Sequence, residues 1–274
     1  MKRPFDIALA VAAGLLLAFI LLPLLALFLR ISPADLFGQL GSGVALDALL
    51  VSLKTSAIAH AVVLVVGTPA AYLVASRRFP GRAVVLTLIE LPLVLPPAVA
   101  GIALLAAFGR SGLLGGTLNA VGVSIPFTQA AVVLAVVFVS SPFYVRLAIA
   151  SFEAVDPALV EAARTLGAGP RRTFFRVALP LAAGGLSAAS ALAFARGLGE
   201  FGATIMFAGS LRGVTQTLPL AIYAQLDLDF DVALSLGAFL VLVSVAVLLA
   251  VKLLPSWTRF TSISLTPSAP SGSS

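Results

Sequence analysis

The sequence predicts an all-α integral membrane protein with six transmembrane helices. Of its 274 residues, 60% are hydrophobic and only 10% are charged, whereas soluble domains carry about 25% charged residues. Six apolar segments are long enough to cross a hydrocarbon core, which is about 30 Å thick and needs roughly 20 helical residues. The basic residues behind the formal net charge of +6 lie mostly in short loops between these segments. This distribution indicates membrane topology rather than a nucleic-acid-binding face.

The first predicted span covers residues 7–29. Its apolar run is longer than the 7–15 residues of a signal peptide and is followed by Arg30 and Pro33, so a retained helix is expected. The other spans are predicted at 55–75, 83–108, 130–150, 181–208 and 232–254. The chain then divides into an additional N-terminal helix with an external loop (1–50), a transmembrane domain (51–254) and a Ser/Pro-rich cytoplasmic tail (255–274).

The loop charges predict the orientation of the spans. One side of the membrane would hold most basic residues, namely Lys2, Arg3, Arg77, Arg78, Arg82, Arg146, Arg164, Arg171, Arg172, Arg176, Lys252 and Arg259. The other side would hold Arg30, Lys54, Arg110 and Arg212 together with Asp35, Asp47, Asp227, Asp229 and Asp231. Because cytoplasmic loops carry the excess of Lys and Arg, both termini and the loop 153–180 are expected in the cytoplasm.

The loop 153–180 is a long polar interruption between predicted spans. Asp156 and Pro157 are typical of a helix N-cap and first helical position, and Gly167 is typical of a left-handed C-terminal cap. A second helix is predicted at 171–179, ended by Pro180 at the membrane boundary. Helical spacing places Leu159, Ala162, Ala163 and Leu166 on one side of the first helix.

Two interpretations fit a short helix with a small apolar face and charged shoulders. It can dock into a groove of a partner protein, or it can lie on the bilayer surface with its arginines near anionic lipid. Periodicity alone does not separate them.

The residue spacing inside this loop carries a resemblance. Glu161-Ala162-Ala163 is followed after three residues by Gly167 and, nine residues later, by Val177, Ala178, Leu179 and Pro180. This pattern resembles the cytoplasmic EAA loop of ABC-importer permeases, with Val177 where that pattern prefers Ile. The resemblance implies a type I ABC importer permease-like bundle whose loop is the coupling helix. The implied coupling residues are Glu161, Ala162, Ala163, Thr165, Leu166, Gly167, Ala168, Leu179 and Pro180.

The same resemblance implies that ATP and Mg are bound by a partner ATPase, with no cofactor and no catalytic residue in this chain. Consistently, the sequence contains no G-x-x-x-x-G-K-[ST] phosphate loop.

The fifth predicted span contains Gly197-Leu198-Gly199-Glu200-Phe201-Gly202, formally a G-x-G-x-x-G string. A dinucleotide fingerprint would follow a strand in a βαβ unit, and this string lies in an apolar helical run. Arg196 and Glu200, four residues apart, either form a structural ion pair or act directly in transport, because ionisable groups inside a span face a partner or a water-filled path. The glycines either favour close helix packing or break the helix and expose N–H groups to an anion.

A narrower resemblance covers about residues 51–254. The segments 195–204, 90–97 and 161–169 resemble those of molybdate-type permeases, which are close relatives of the sulfate permeases. It implies a permease of the cytoplasmic (inner) membrane that imports an oxyanion, molybdate or tungstate first and sulfate or thiosulfate next. The implied partners are a second copy of the chain, an ABC ATPase dimer and an extracytoplasmic binding protein. The candidate path residues are Pro96, Pro97, Arg196, Gly199, Glu200, Phe201, Gly202 and Thr204.

Other observations bear on rival functions. Pro92, Pro96 and Pro97 interrupt the third span, either to kink it or to open a cavity beside Glu90. An ion-coupled secondary transporter would use Arg196, Glu200 and Glu90 as coupling charges, but the two halves of the sequence show no convincing repeat. With one histidine and no cysteine, the sequence offers no familiar metal or nucleophile constellation for a membrane enzyme.

Overall fold

The computed structural model describes residues 2–32, 34, 36, 38, 41 and 43–253, and every regular element in these ranges is helical. The predicted cytoplasmic tail, residues 255–274, lies outside the described residues. The helices are α1 (Lys2–Leu29), α2 (Gly43–Ser76), α3 (Arg82–Val94), α4 (Pro97–Phe108), α5 (Gly115–Ala120), α6 (Gln129–Glu153), α7 (Pro157–Thr165), α8 (Pro170–Thr173), a π-helical turn (Phe174–Ala178), α9 (Leu179–Leu198), α10 (Gly202–Ala208), α11 (Leu218–Gln225) and α12 (Phe230–Leu253).

Five segments of the described chain are long and apolar enough to cross a membrane, and α3 with α4 makes a sixth if that bent pair counts as one span. The all-α, multi-span prediction is therefore confirmed. The second span begins at Gly43 rather than at residue 55. This extension is explained by Ala45 and Ala48, which are buried in a small core with Leu218 of α11 and Leu236 of α12.

The centre of the bundle is α6, which packs against α2, α3, α4, α9 and α10. Its seams are built from small residues, since lipid-embedded helices associate through close backbone approach. A Cβ on Gly67 of α2 would lie 2.9 Å from Tyr144 Cδ1. A Cβ on Gly197 of α9 would lie 2.9 Å from Val136 Cγ1. The α2–α6–α9 packing is therefore tight enough to fix the position of the surrounding helices.

The third predicted span is broken, as its prolines predicted. Helices α3 and α4 meet at an angle of 115°, across Leu95 and Pro96, which both have extended backbone. Each of these two residues precedes a proline, a position that disfavours helical dihedrals. Pro92 lies within α3 and does not end it.

The fifth predicted span needs two corrections. It ends at Leu198, and residues 202–208 form the separate helix α10. Pro180 does not end the preceding helix, because the helical path runs without interruption from Pro170 to Leu198. The turn just before Pro180 is π-helical, with the Leu179 N–H bonded to the Phe174 carbonyl. This wider turn accommodates a residue that has no N–H of its own and whose ring crowds the preceding turn.

Candidate functional site

The two breaks in the helices lie against each other. Residues 199–201 separate α9 from α10, and α10 packs on α4 directly after the break at Pro96. A Cβ on Gly202 would lie 2.6 Å from Pro97 Cβ, and one on Gly101 would lie 2.6 Å from the Ala203 carbonyl oxygen. Glycine at these positions is therefore what allows the two broken spans to touch. The structure thus brings Pro97, which directly follows Pro96, into contact with Gly202.

Glu200 occupies the centre of the α9–α10 break and is 2% exposed. Its Oε1 accepts a hydrogen bond of 2.8 Å from the Ala203 N–H at the start of α10. Its Oε2 lies 3.0 Å from Arg196 Nη2, an ion pair without the alignment of a hydrogen bond. A buried carboxylate at a helix N-terminus beside a guanidinium is electrostatically favoured. The pair predicted from the four-residue spacing is present, and it joins the two sides of the break.

Arg196 is the cation of this break that solvent can reach. Its side chain is 30% exposed, and its guanidinium carbon lies 5.9 Å from the centroid of the Phe143 ring on α6. That geometry is a cation–π contact. Arg196 is thus held by Glu200 on one side and by Phe143 on the other.

Several backbone N–H groups at this break are bonded within the chain. The N–H of Gly199 bonds to Ala195, that of Glu200 bonds to Gly197, and that of Ala203 bonds to Glu200. Gly199 has φ −88°, a conformation open to any residue. The N–H groups of Phe201, Gly202 and Thr204 are not paired in this way among the described residues, so the exposure of N–H groups to an anion stays a prediction.

The remaining candidate residues differ in exposure. Thr204 is fully buried, and its hydroxyl has no hydrogen-bond partner among the described residues. Phe201 is half-buried and its ring lies 5.1 Å from that of Tyr223. Pro96, Pro97 and Gly199 are exposed. In this conformation Thr204 is thus packed behind the surface that the exposed residues form.

Two further ion pairs connect α3 to α6, and sequence reasoning missed the pairing. Arg82 pairs with Glu153 at one end of the contact, and Glu90 Oε1 lies 3.5 Å from Arg146 Nε further along it. The positions advance by eight residues on α3 and recede by seven on α6, as two antiparallel helices require. The orientation prediction counts Arg146 among the cytoplasmic charges, although this residue falls inside the predicted span 130–150. A charge inside a span was the signal available.

The coupling-loop candidates fold as their local sequence predicted. Asp156 Oδ1 accepts a hydrogen bond of 2.9 Å from the Ala158 N–H, with Pro157 at the first helical position of α7. Gly167 has φ +81°, which favours glycine. The N–H of Ala168 bonds to the Ala163 carbonyl and that of Gly167 to the Arg164 carbonyl, the pattern of a Schellman cap. Both ends of α7 are therefore fixed by its own residues.

The elbow between α7 and α8 is also internally bonded, but the surface of α7 is open. Thr173 is fully buried and its hydroxyl donates to the carbonyls of Ala168 and Gly169. Every residue of α7 is exposed or half-buried. Leu159 is exposed, and Leu166 just beyond the helix is 88% exposed. The loop is thus a preformed protrusion with an uncovered apolar face.

A family comparison identifies the class of protein. Residues 67–259 match the family described as "Binding-protein-dependent transport system inner membrane component". The chain belongs to this family. Such permeases are the multi-pass inner-membrane subunits of ABC transporters, in which a separate partner hydrolyses ATP.

Curated relatives and solved structures agree with this permease assignment. The chain is 46% identical over 244 residues to the molybdenum transport system permease protein ModB of Mycobacterium tuberculosis, covering 86% of this chain and 89% of that protein. It is 41% identical over 212 residues to ModB of Escherichia coli strain K12, covering 77% and 92%. A crystal structure of a bacterial alginate ABC transporter in complex with an alginate-bound periplasmic protein contains a chain of similar fold. Its TM-score is 0.72, with 16% identity and coverage of 91% and 93%.

The single histidine of the permease, His60, contacts residues of a neighbouring helix. His60 Nε2 lies 2.8 Å from Ser190 Oγ, and its ring makes an edge contact with Phe194 at 5.2 Å. Both partners are on α9, so His60 joins α2 to α9. It therefore belongs to the packing of the bundle rather than to the break between α9 and α10.

Proposed function

We propose that this chain is the permease subunit of an ATP-driven importer of molybdate, with tungstate as an equivalent substrate. The observation that carries the proposal is the 46% identity, over 86% of the chain, to a protein named as a molybdenum transport permease. Two copies surround a central path, a cytoplasmic ATPase dimer binds ATP and Mg, and an extracytoplasmic binding protein delivers the oxyanion. Residues 51–254 form the permease domain, and residues 1–50 add a helix and an external loop.

The loop 153–180 is the proposed contact with the ATPase. Its helix α7 keeps an apolar side uncovered at Leu159 and Leu166, while caps at both ends hold its shape. A short helix of this kind is marginal alone in water, so pre-forming it lowers the entropy lost on docking. Glu161, Ala162, Ala163, Thr165, Leu166, Gly167, Ala168, Leu179 and Pro180 are the proposed coupling residues. This assignment places both termini in the cytoplasm.

The proposed translocation path runs beside the two helix breaks. Broken helices at membrane depth are tolerated where they are buried in protein or line a water-filled cavity. Pro97, which follows Pro96, meets Gly202 there, and Arg196 supplies a positive charge at the same break through its pair with Glu200. Gly199, Glu200, Phe201 and Thr204 complete the proposed set, with Thr204 packed behind the surface. Closure of the ATPases on ATP would change which side of the membrane the path faces.

Uptake by reconstituted vesicles tests the function. The permease, its ATPase and the binding protein would be placed in proteoliposomes with ATP inside, and accumulation of labelled molybdate would be measured with sulfate as competitor. We expect uptake that needs all three components and that excess tungstate suppresses. Uptake of sulfate in place of molybdate would overturn the substrate assignment, and uptake without the ATPase would overturn the mechanism.

A further inference from the structure

The Glu90–Arg146 pair stands out because it is an exposed ion pair inside membrane-spanning helices. The Arg146 side chain is 64% exposed and the Glu90 side chain 39% exposed. Glu90 follows the start of α3 at Arg82 by eight residues, about 12 Å along a helix. Arg146 precedes the end of α6 at Glu153 by seven residues, about 10 Å. Charged side chains at such depth usually face a bundle interior or water rather than lipid.

The location of the Glu90–Arg146 pair is not explained by both side chains reaching the membrane surface. Arginine can extend its head group toward the interface along its long apolar stem, but a glutamate side chain is short. Glu90 instead holds the Arg146 guanidinium at 3.5 Å. Another ion pair already links α3 to α6 at the start of α3, where Arg82 pairs with Glu153.

Arg146 shares a face of α6 with the residue that contacts Arg196. Phe143 and Arg146 are three residues apart, and side chains at this spacing are neighbours on a helix surface. Arg196 lies over the Phe143 ring. A row of side chains therefore leads from the α9–α10 break along α6 toward its Glu153 end: Glu200, Arg196, Phe143, Arg146 and Glu90.

We infer that this row of side chains lines a water-filled anion path, and that Arg146 is the second site along it, after Arg196, that binds a tetrahedral oxyanion. The inference rests on the proposed function and extends it to a residue outside the predicted set. A guanidinium suits such an anion because its fork of N–H groups can donate two parallel hydrogen bonds. Glu90 partly neutralises the positive charge of Arg146, as Glu200 does for Arg196. Such weakened sites suit conduction, because an ion must be attracted without being trapped.

Solvent access at position 146 can be measured directly, because the chain has no native cysteine. The full complex carrying Arg146→Cys would be treated with a charged, membrane-impermeant thiosulfonate reagent. The reagent reacts with thiolate, which forms in water. Val66→Cys is the matched control: Val66 is 62% exposed and precedes Gly67, which packs on Tyr144 and Val145. We expect rapid labelling at position 146 and little at position 66. Absence of labelling at 146 would overturn the inference.

Uptake measurements separate a path residue from a structural link. In Arg146→Gln we expect molybdate uptake to fall roughly 10- to 100-fold, as for loss of one charge-assisted hydrogen bond. Arg146→Lys should recover part of it. The double variant Glu90→Gln, Arg146→Gln should remain defective, whereas Asp47→Asn, Arg212→Gln, which removes an ion pair of similar exposure elsewhere in the bundle, should transport like the unaltered protein. Equal uptake by the two double variants would reduce Glu90–Arg146 to a structural pair. Failure of the unaltered complex to transport would instead count against the proposed function.

Discussion

At the scale of single residues, the closest helix contacts are set by where a side chain is missing. Gly202 and Gly199 lie three residues apart at the same break. A Cβ on Gly202 meets Pro97 Cβ at 2.6 Å, whereas the nearest atom to a Cβ on Gly199 is 3.9 Å away. The two glycines therefore look alike in sequence and differ in packing.

This difference predicts that alanine destabilises the protein at position 202 but has little effect at position 199. Gly202→Ala should lower the free energy of unfolding by about 1–3 kcal/mol, since an added methyl overpacks the contact with α4. Gly199→Ala should change it by less than about 1 kcal/mol. Thermal unfolding of the purified complex in detergent measures both. Equal midpoints for the two variants would contradict the assigned contact.

At the scale of elements, α2 and α11 are tied by a buried hydrogen bond. Ser52 Oγ accepts from the Leu218 N–H at 2.7 Å, which satisfies one of the N–H groups that the start of a helix leaves without an intrahelical partner. Arg212 adds an ion pair with Asp47 at 2.9 Å. The helical extension of α2 back to Gly43 places Asp47 opposite Arg212, in the segment before α11, and Ser52 opposite the start of α11.

Removing that hydroxyl should destabilise the α2–α11 contact. Ser52→Ala leaves the buried Leu218 N–H unsatisfied, which costs about 1–3 kcal/mol. Ser187→Ala is the control, because Ser187 is exposed and its hydroxyl bonds only to the nearby Gly184 carbonyl. Denaturation midpoints should fall for Ser52→Ala alone, and a similar fall in the control would assign the effect to the loss of any hydroxyl.

The proposed coupling helix, α7, supplies the second prediction at this scale. Leu166→Glu should reduce co-purification of the ATPase, because a charge would replace an 88% exposed leucine on the proposed docking face. Leu113→Glu changes a leucine of 89% exposure in the segment between α4 and α5 and should retain the ATPase. Retention of the ATPase by Leu166→Glu would leave α7 as a surface helix near the bilayer.

At the scale of the whole molecule, the features that could be predicted are those that depend only on residues close together in the sequence. The caps of α7, the break at Pro96 and the Arg196–Glu200 pair follow from local spacing, and all are present. The Glu90–Arg146 pair was not foreseen because it depends on the register of α3 against α6. The prediction at Pro180 was wrong for the opposite reason. The local rule that proline ends a helix is overridden there by a π-helical turn.

Orientation across the membrane can be tested on two matched positions. Leu113→Cys should react with an impermeant thiol reagent added to intact cells, and Leu166→Cys should react only after the membrane is opened. Both side chains are equally exposed in the folded chain, so a difference in labelling reports the side of the membrane. The reverse pattern would invert the topology that the positive-inside rule predicts.

The π-helical turn at Phe174–Ala178 also sets an angular relation within the permease. Such a turn amounts to one residue inserted into an α-helix, and one residue corresponds to about 100° of rotation. The buried face of α9, with Ala182, Ala189 and Ala193, and the elbow at Thr173 are therefore out of phase by that angle. A one-residue deletion here would keep the bundle intact and rotate the α7 protrusion about the axis of α9 by roughly 100°.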